Sequence, residues 1–272
     1  MSKTALILAA HGSRHDPSVN QMVRTYAARV AMVGPFDEVA AAFHQGAPTF
    51  SAVFDELAAD RVIVVPLMTS EGYYCRVVLP RELGGNRPFT KASVTITAPV
   101  GAHPAMVELV ADRLRAGLRA HRLCADDTTL ALIGHGTPRH PSSRRATESL
   151  AKSLRARALC REVLCAFLDD EPRIDSLPRR AATMNMVAVP FLIADGPHAA
   201  RDIPMALGLA DENADPFPVS GSSGGRFIVV DSAIGADPRI VEIIFDLATN
   251  ALGSRENKSE WAGLCGLTGP PS

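Results

Sequence analysis

The chain repeats itself, and this repeat constrains the fold more than any other feature of the sequence. Residues 5–11 read ALILAAH and residues 129–135 read TLALIGH, so His11 corresponds to a second histidine, His135, 124 positions later. Further pairs keep the same spacing: Pro48 and Pro172, Val65-Pro66 and Val189-Pro190, Gly72 and Gly196, Pro80 and Pro204. One register held over about seventy residues indicates two copies of a small domain, because solenoid repeats are much shorter.

The repeat predicts where the domains begin and end. We expect a first copy over residues 1–123, a second copy over 124–253 and a C-terminal tail over 254–272. Later in the chain the spacing grows by ten residues, and this insertion falls within 211–226, which is rich in Pro, Ser and Gly. Such a segment is either a lid or a surface loop, and the composition favours the loop.

Each copy alternates apolar runs with helical patterns. The predicted strands are 5–10, 38–42, 62–67 and 94–98 in the first copy, and 129–134, 162–167, 186–192 and 226–231 in the second. Their continuous apolar runs are typical of parallel strands that are buried on both faces. We therefore predict an α/β fold of two similar doubly wound domains, each with a four-stranded parallel sheet, and a cleft between them.

Charge and cysteine usage exclude several classes of partner. The 28 basic and 29 acidic side chains nearly cancel, giving a net charge of −1, so we expect neither a nucleic-acid nor a membrane partner. No apolar run approaches the length of a membrane span, and the run over 5–10 is too short for a signal peptide. The five cysteines are scattered and odd in number, which favours reduced thiols and a cytoplasmic protein.

The first strand of each copy ends in a histidine followed by glycine. Ligands of doubly wound sheets bind beyond the carboxyl ends of the strands, which is where His11 and His135 fall. A histidine here has a structural alternative, since it can simply bond a carbonyl at the end of a strand. Its recurrence at the ligand-binding edge of both copies favours a functional role.

The loop after the third strand adds a second histidine in one copy only. The second copy reads Asp195-Gly196-Pro197-His198, and the position that corresponds to His198 in the first copy is Tyr74. Two neutral imidazoles on neighbouring loops can hold a divalent first-row metal, whereas a tyrosine with a pKa of about 10 is a poor ligand at neutral pH. The sequence therefore predicts a paired-histidine site in the second copy.

These motifs carry a resemblance to a known family. The HGS and HGT turns, the VPLM-TSEG and VPFL-IADGPH loops, and the GAHP and GADP turns resemble the class II tetrapyrrole chelatases, and among them the CbiX-like sirohydrochlorin cobaltochelatases and ferrochelatases. The resemblance covers the chain from about Leu6 to about Leu252 and occurs twice. It implies a cleft that binds a flat, polycarboxylated tetrapyrrole, a divalent metal ion (Co²⁺ or Fe²⁺) as the second substrate, and no organic cofactor. The resemblance is compatible with either a monomer or a homodimer.

The resemblance also implies roles for individual residues. His135 and His198 match the metal-site histidines, and these two with His11 are the predicted catalytic residues, which present the metal and accept pyrrole protons. Because sirohydrochlorin carries eight carboxylates, arginines in or after the loops are candidate substrate ligands. The predicted substrate-binding residues are Arg14, Arg139, Arg201 and Tyr74. Arg76, Arg144 and Arg145 contribute to the same basic region.

Several alternatives stay open at this point. The metal can be iron rather than cobalt, and the chain can be a tetrapyrrole or metal carrier without turnover, as the tyrosine at position 74 suggests. Catalysis can also lie at His11, with Glu71 standing in for the missing histidine; Glu71 and its counterpart Asp195 can equally be solvent-facing loop carboxylates. A histidine phosphatase is disfavoured because the order Arg-His-Gly is absent. The other histidines are assigned elsewhere: His103 to a helix cap, and His15, His44, His121 and His140 to ordinary structural or surface positions.

Overall fold

The computed structural model describes residues 2–84, 93–137, 141–196, 198–209 and 217–253. The elements of the first half are β1 (Thr4–Ala10), α1 (Pro17–Val33), β2 (Glu38–Phe43), α2 (Phe50–Glu56), β3 (Arg61–Leu67), α3 (Leu79–Gly84), β4 (Ser93–Ile96) and α4 (Met106–Ala120). Those of the second half are β5 (Thr128–Gly134), α5 (Ser142–Arg155), β6 (Glu162–Phe167), α6 (Leu177–Arg180), β7 (Asn185–Pro190), α7 (Ile203–Ala206), β8 (Val219–Ser223), β9 (Arg226–Val230) and α8 (Ile240–Leu252).

The first sheet is parallel throughout and has the order β2-β1-β3-β4. Because β1 is paired on both sides, the apolar residues from Ala5 to Ala10 are buried, as expected for a strand covered on both faces. Helix α1 begins at Pro17, and the side chain of Asp16 accepts a hydrogen bond from the Ser18 N–H at 3.0 Å. The predicted parallel sheet of the first copy is confirmed.

The second sheet differs from the prediction. It has five strands in the order β6-β5-β7-β9-β8, and β8 runs antiparallel to β9. The prediction of a four-stranded parallel sheet is therefore wrong for the second half. The predicted loop over 211–226 is wrong at residues 219–223, which form the additional strand. The cause is the Gly224-Gly225 turn, whose φ values of 57° and 75° are those of a tight hairpin that lets the insertion fold back on β9. The earlier part of the insertion, residues 211–216, and the predicted tail over 254–272 lie outside the described residues.

The two halves exchange their last helices. Helix α4 follows the first sheet in sequence but packs against β7 and α5, whereas α8 packs against β3 and α1. One hydrophobic core thus runs through both halves, with Leu6 and Leu8 from β1 and Leu130 and Leu132 from β5 in the same cluster. Neither half can bury the inner face of its sheet without a helix from the other, so the chain folds as one interlocked pair.

Polar groups tie the halves together at the exchanged helices. The Tyr26 hydroxyl, from α1, donates to the Gly235 carbonyl at 2.7 Å, and burial, aided by the charge of Asp237, raises the pKa of this phenol to about 12. Arg113 of α4 pairs with Asp231 at 3.2 Å and with Asp237 at 3.3 Å. His103 precedes α4, and its Nδ1 accepts from the Ala105 N–H at 3.2 Å while its Nε2 lies 3.1 Å from Asp246 of α8. The cap position of α4 is Ala105, without a side-chain bond, so the interpretation of His103 as a helix cap is wrong.

Two further observations bear on the class of protein. Within the residues that the structure describes, no helix is both long and apolar enough to cross a membrane. The four described cysteines, Cys75, Cys124, Cys160 and Cys165, are free thiols.

Candidate functional site

The repeated histidines lie at the carboxyl ends of β1 and β5 and are held in the same way. The Nδ1 atom of His11 lies 3.1 Å from the Gly12 carbonyl oxygen, and that of His135 lies 2.9 Å from the Gly136 carbonyl oxygen. Both glycines have positive φ, 70° and 68°, so the chain turns sharply there. A ring that donates its Nδ1 proton to a carbonyl carries its lone pair on Nε2. Each imidazole can therefore bind a metal or accept a proton through Nε2.

The second half places a carboxylate beside its histidine. The Oδ2 atom of Asp169 lies 3.3 Å from His135 Nδ1, and the two side chains are about half exposed. The register of the sheet sets this contact, because the Asp169 N–H donates to the His135 carbonyl at 2.9 Å. A carboxylate at Nδ1 stabilises the imidazolium that forms when Nε2 takes up a proton. Sequence reasoning missed Asp169, although its place just after the second strand of the copy put it at the same sheet edge.

The predicted partner of His135 is placed only through its backbone. His198 begins a π-helical turn, His198–Asp202, which follows the loop after β7 at the same edge of the sheet. Its side chain lies outside what the structure describes, as do Pro197, Arg139 and His140. Within the described residues, no three His, Cys, Asp or Glu side chains are arranged to hold one metal ion. The His135/His198 pair accordingly stays a prediction.

The first half carries a different polar cluster. The ring of His11 lies 5.6 Å from that of His44 and 5.2 Å from that of Tyr74, and the rings of His44 and Tyr74 are 5.1 Å apart. His44 Nδ1 in turn bonds Glu82 Oε1 at 2.6 Å. The sequence assigns His44 to an ordinary structural or surface position. The structure turns its side chain toward His11, which makes His44 a further candidate at this edge of the sheet. The positions that correspond to His44 and Glu82 in the second half are Leu168 and Ala206, which is why the repeat gave no signal.

Tyr74 forms one wall of this cluster as a neutral phenol. Its hydroxyl oxygen is buried and has no hydrogen-bond partner among the described residues. Burial raises the pKa of Tyr74 well above its usual range, and the nearby charge of Glu82 raises it further. A phenol that keeps its proton is a poor metal ligand, so the first half lacks the histidine pair predicted for the second.

The predicted arginines differ in what holds them. Arg14 is exposed, and Arg201, which is 72% exposed, pairs with its neighbour Asp202 at 3.2 Å. Arg144 is instead anchored within the second half, where it bonds Asp170 at 2.7 Å and lies 4.9 Å from the centre of the Phe167 ring. Of these arginines, Arg144 is therefore a structural residue rather than a free contact for a ligand.

Glu71 and Asp195 correspond to each other in the loops after β3 and β7, and their surroundings have also diverged. Asp195 is mostly buried and accepts a hydrogen bond from the Ala233 N–H, so it ties its loop to the end of β9; burial raises the pKa of this carboxyl. Glu71 is half exposed and pairs with Arg76 at 3.2 Å. Neither side chain is described in contact with a histidine, so the carboxylates beside the histidines are Asp169 and Glu82.

Comparison with known proteins agrees with this geometry. The family model described as CbiX matches residues 5–116 and again residues 129–251. A "Probable sirohydrochlorin cobaltochelatase" of Halobacterium salinarum is 32% identical over 267 residues, which cover 91% of each chain.

Solved structures with the same fold include two that cover nearly all of this chain. DR2241 from Deinococcus radiodurans, a multi-domain protein with structural similarity to chelatases, is 28% identical with a TM-score of 0.72; the match covers 98% of this chain but only 61% of that protein. CbiX, the terminal enzyme for biosynthesis of siroheme in denitrifying bacteria, is 23% identical with a TM-score of 0.72, covering 92% and 99% of the two chains. The doubled match of the family model over most of the sequence shows that this chain belongs to the CbiX family.

Proposed function

We propose that the protein is a sirohydrochlorin chelatase, which inserts a divalent metal ion into a polycarboxylated tetrapyrrole. The observation that carries this is the pair of histidine-glycine turns in a CbiX-family chain, each holding Nδ1 on a carbonyl. The name of the halobacterial relative supports the substrate. No covalent nucleophile is needed, because insertion exchanges one M²⁺ for two pyrrole N–H protons.

The second half supplies the metal-presenting side chains in this proposal. His135 and His198 hold the incoming ion from neighbouring loops and leave its remaining positions open to the ring nitrogens. As each pyrrole N–H ionises, its electron pair stays on nitrogen for the metal, and its proton passes to an imidazole Nε2 that holds no metal. The two acceptors are His11 and, once the ion has moved to the ring, His135. The Asp169 carboxylate, 3.3 Å from His135 Nδ1, stabilises the imidazolium that results.

The first half offers a second set of proton acceptors, and this favours a second candidate for the catalytic half. His11, His44 and Glu82 lie together behind the first histidine-glycine turn. If catalysis lies here, Glu82 acts through His44 and replaces the Glu71 considered from the sequence, which pairs with Arg76. We favour the second half for the metal and assign His11 to proton uptake.

The proposal also names the metal, the substrate contacts and the location. Cobalt is favoured by the name of the halobacterial relative, and iron is the alternative, because imidazole sites accept several first-row metals. Arg14, Arg139, Arg201 and Tyr74 remain the proposed contacts of the tetrapyrrole. We propose a cytoplasmic location, supported by the free thiols of the described cysteines, and a monomer or homodimer as the working unit.

The test is a metallation assay with matched variants. Sirohydrochlorin and Co²⁺ or Fe²⁺ are mixed with protein, and the absorbance change is compared with the uncatalysed rate. We expect His135→Ala and His198→Ala each to lower the rate by about 10²–10⁴-fold with an unchanged melting temperature, and His15→Ala to be silent. If His11→Ala is damaging and the other two are silent, the first half is the catalytic one. Tight sirohydrochlorin binding without acceleration for any metal would identify a carrier instead.

A further inference from the structure

A cavity of about 500 Å³ lies on the seam between the two halves. The first half contributes Glu71 and Arg76 from the segment after β3, and the second contributes the start of α5, including Ser142 and Arg145. A second cavity, of about 300 Å³, continues along the seam and shares Glu71 with the first. Both are lined by two domains, which is a common setting for small-molecule sites.

The charge of the larger cavity favours an anion. Two arginines, Arg76 and Arg145, and one carboxylate residue, Glu71, line this cavity. Arg76 is 67% exposed and pairs with the half-exposed Glu71 at 3.2 Å, and Arg145 is exposed. The first turn of α5, which borders the cavity, contains no acidic residue, so no carboxylate there offsets the two guanidinium groups.

The repeat provides an internal comparison for this cavity. At the corresponding positions on the other side of the seam, Arg76 is replaced by Ala200 and Arg145 by Gln21, while Glu71 is replaced by Asp195. The paired arginines therefore occur on one side only. An ordinary solvent-exposed surface would not require arginines from two separate segments to line one cavity.

The cavity adjoins the turn that carries His135. Ser142 lines the cavity, and the next residue, Ser143, accepts a hydrogen bond at its Oγ from the Gly136 N–H at 3.2 Å. A ligand group held between Arg76 and Arg145 would thus sit next to the histidine-glycine turn of the second half.

We infer that this cavity binds one carboxylate arm of the substrate through Arg76 and Arg145. The identity of the substrate rests on the proposed function. The planar guanidinium fork donates N–H groups to both oxygens of a carboxylate, and one arm held at the seam adds to the affinity for the ring next to His135. Glu71 competes with the arm for Arg76, which limits affinity and eases release.

The experiment measures binding and turnover separately. Sirohydrochlorin is titrated into metal-free protein and followed by absorbance, for the wild type and for Arg76→Gln, Arg145→Gln and Glu71→Gln. Arg179→Gln, at an exposed position on α6, is the matched control. We expect each of the two cavity arginine variants to weaken binding by about three- to tenfold and Glu71→Gln to tighten it, because an exposed charged contact is worth little more than this. In turnover, KM should rise with kcat nearly unchanged.

The direction of the Glu71 effect separates this role from a structural one, since a damaged fold does not bind more tightly. Affinities for Arg76→Gln and Arg145→Gln that match Arg179→Gln would overturn the inference. If the wild type binds sirohydrochlorin but inserts no metal, the proposed chelatase activity fails and the carboxylate site stands. If the wild type binds no sirohydrochlorin at all, both fail.

Discussion

Arg113 provides a direct test of how the two halves are held together. It lies on α4, which belongs in sequence to the first copy, and its side chain is only 11% exposed. Besides Asp231 and Asp237, it donates through Nη1 to the Ser232 carbonyl at 3.0 Å and to the Ser232 hydroxyl at 2.9 Å. The change Arg113→Met keeps much of the apolar stem but removes all of these contacts.

The expected loss follows from what remains buried. Removing one partner of a buried ion pair costs about 3–5 kcal/mol because the other charge is left without compensation. Here Asp237 keeps its bonds from Arg239 and Asp231 is 26% exposed, so we expect a loss about 1 kcal/mol below that range, about 2–4 kcal/mol. For a chain of this size, each kcal/mol lowers the melting temperature by about 2 °C, which gives a fall of about 4–8 °C.

The same contact should depend on pH in a defined direction. Burial opposes the ionisation of Asp237, but the bonds from Arg239 and the charge of Arg113 outweigh it and hold the pKa of this carboxyl below its usual range. A lowered folded-state pKa stabilises the protein above the unfolded value of about 3.9, and this stability is lost as the pH falls through the folded value. The difference in stability between Arg113→Met and the wild type should therefore become smaller below about pH 4.

Calorimetry at pH 7 and across the acid range measures both effects. The control is Arg115→Met on the same helix, whose pairs with Glu108 and Asp112 are exposed; it should change the melting temperature little. If Arg113→Met and Arg115→Met melt alike, Arg113 does not hold the halves together and the reasoning from burial is refuted.

Three further predictions concern the site. Tyr74→Phe removes a buried hydroxyl that has no hydrogen-bond partner among the described residues. In a denaturant titration the free energy of unfolding should therefore stay equal or rise by up to about 1 kcal/mol. A clear loss of stability would mean that the hydroxyl has a hydrogen-bond partner. Gly136→Ala places a Cβ 2.8 Å from Phe167 Cβ at a φ of 68°. The free energy of unfolding should fall by about 1–2 kcal/mol or more, as expected for a non-glycine residue in this backbone region, and turnover should be reduced. A variant as stable as the wild type would contradict the strained turn. Asp169→Asn keeps the shape of the side chain but removes the charge beside His135. We expect kcat for metallation to fall by about tenfold, while Co²⁺ binding measured by calorimetry is retained. An unchanged kcat would remove Asp169 from the proposal.

The first half of the fold was predictable because its signals are local. Apolar runs such as residues 62–67 identify strands buried on both faces, and the Asp16-Pro17 pair predicts where α1 begins. The repeat then transfers each element to the second copy. The prediction failed at β8 because its pairing depends on a glycine turn within an insertion that has no counterpart to compare.

The repeat directed attention to the side chains that both copies share. His11 and His135 stand out because both copies place them at the same sheet edge. His44, Glu82 and Asp169 each occur in one copy only, so no repeat marks them, and their contacts depend on loops folding toward β1 or β5.

The sequence by itself determined the doubling of the fold, the parallel pairing of its main strands and the sheet edge at which His11 and His135 lie, because these follow from periodicity and from the geometry of parallel sheets. Tertiary structure alone decided that the halves exchange α4 and α8 and that Arg76 and Arg145 line one cavity at the seam. Those contacts join residues far apart in the chain, and their energies depend on burial and charge that arise only once both halves are folded.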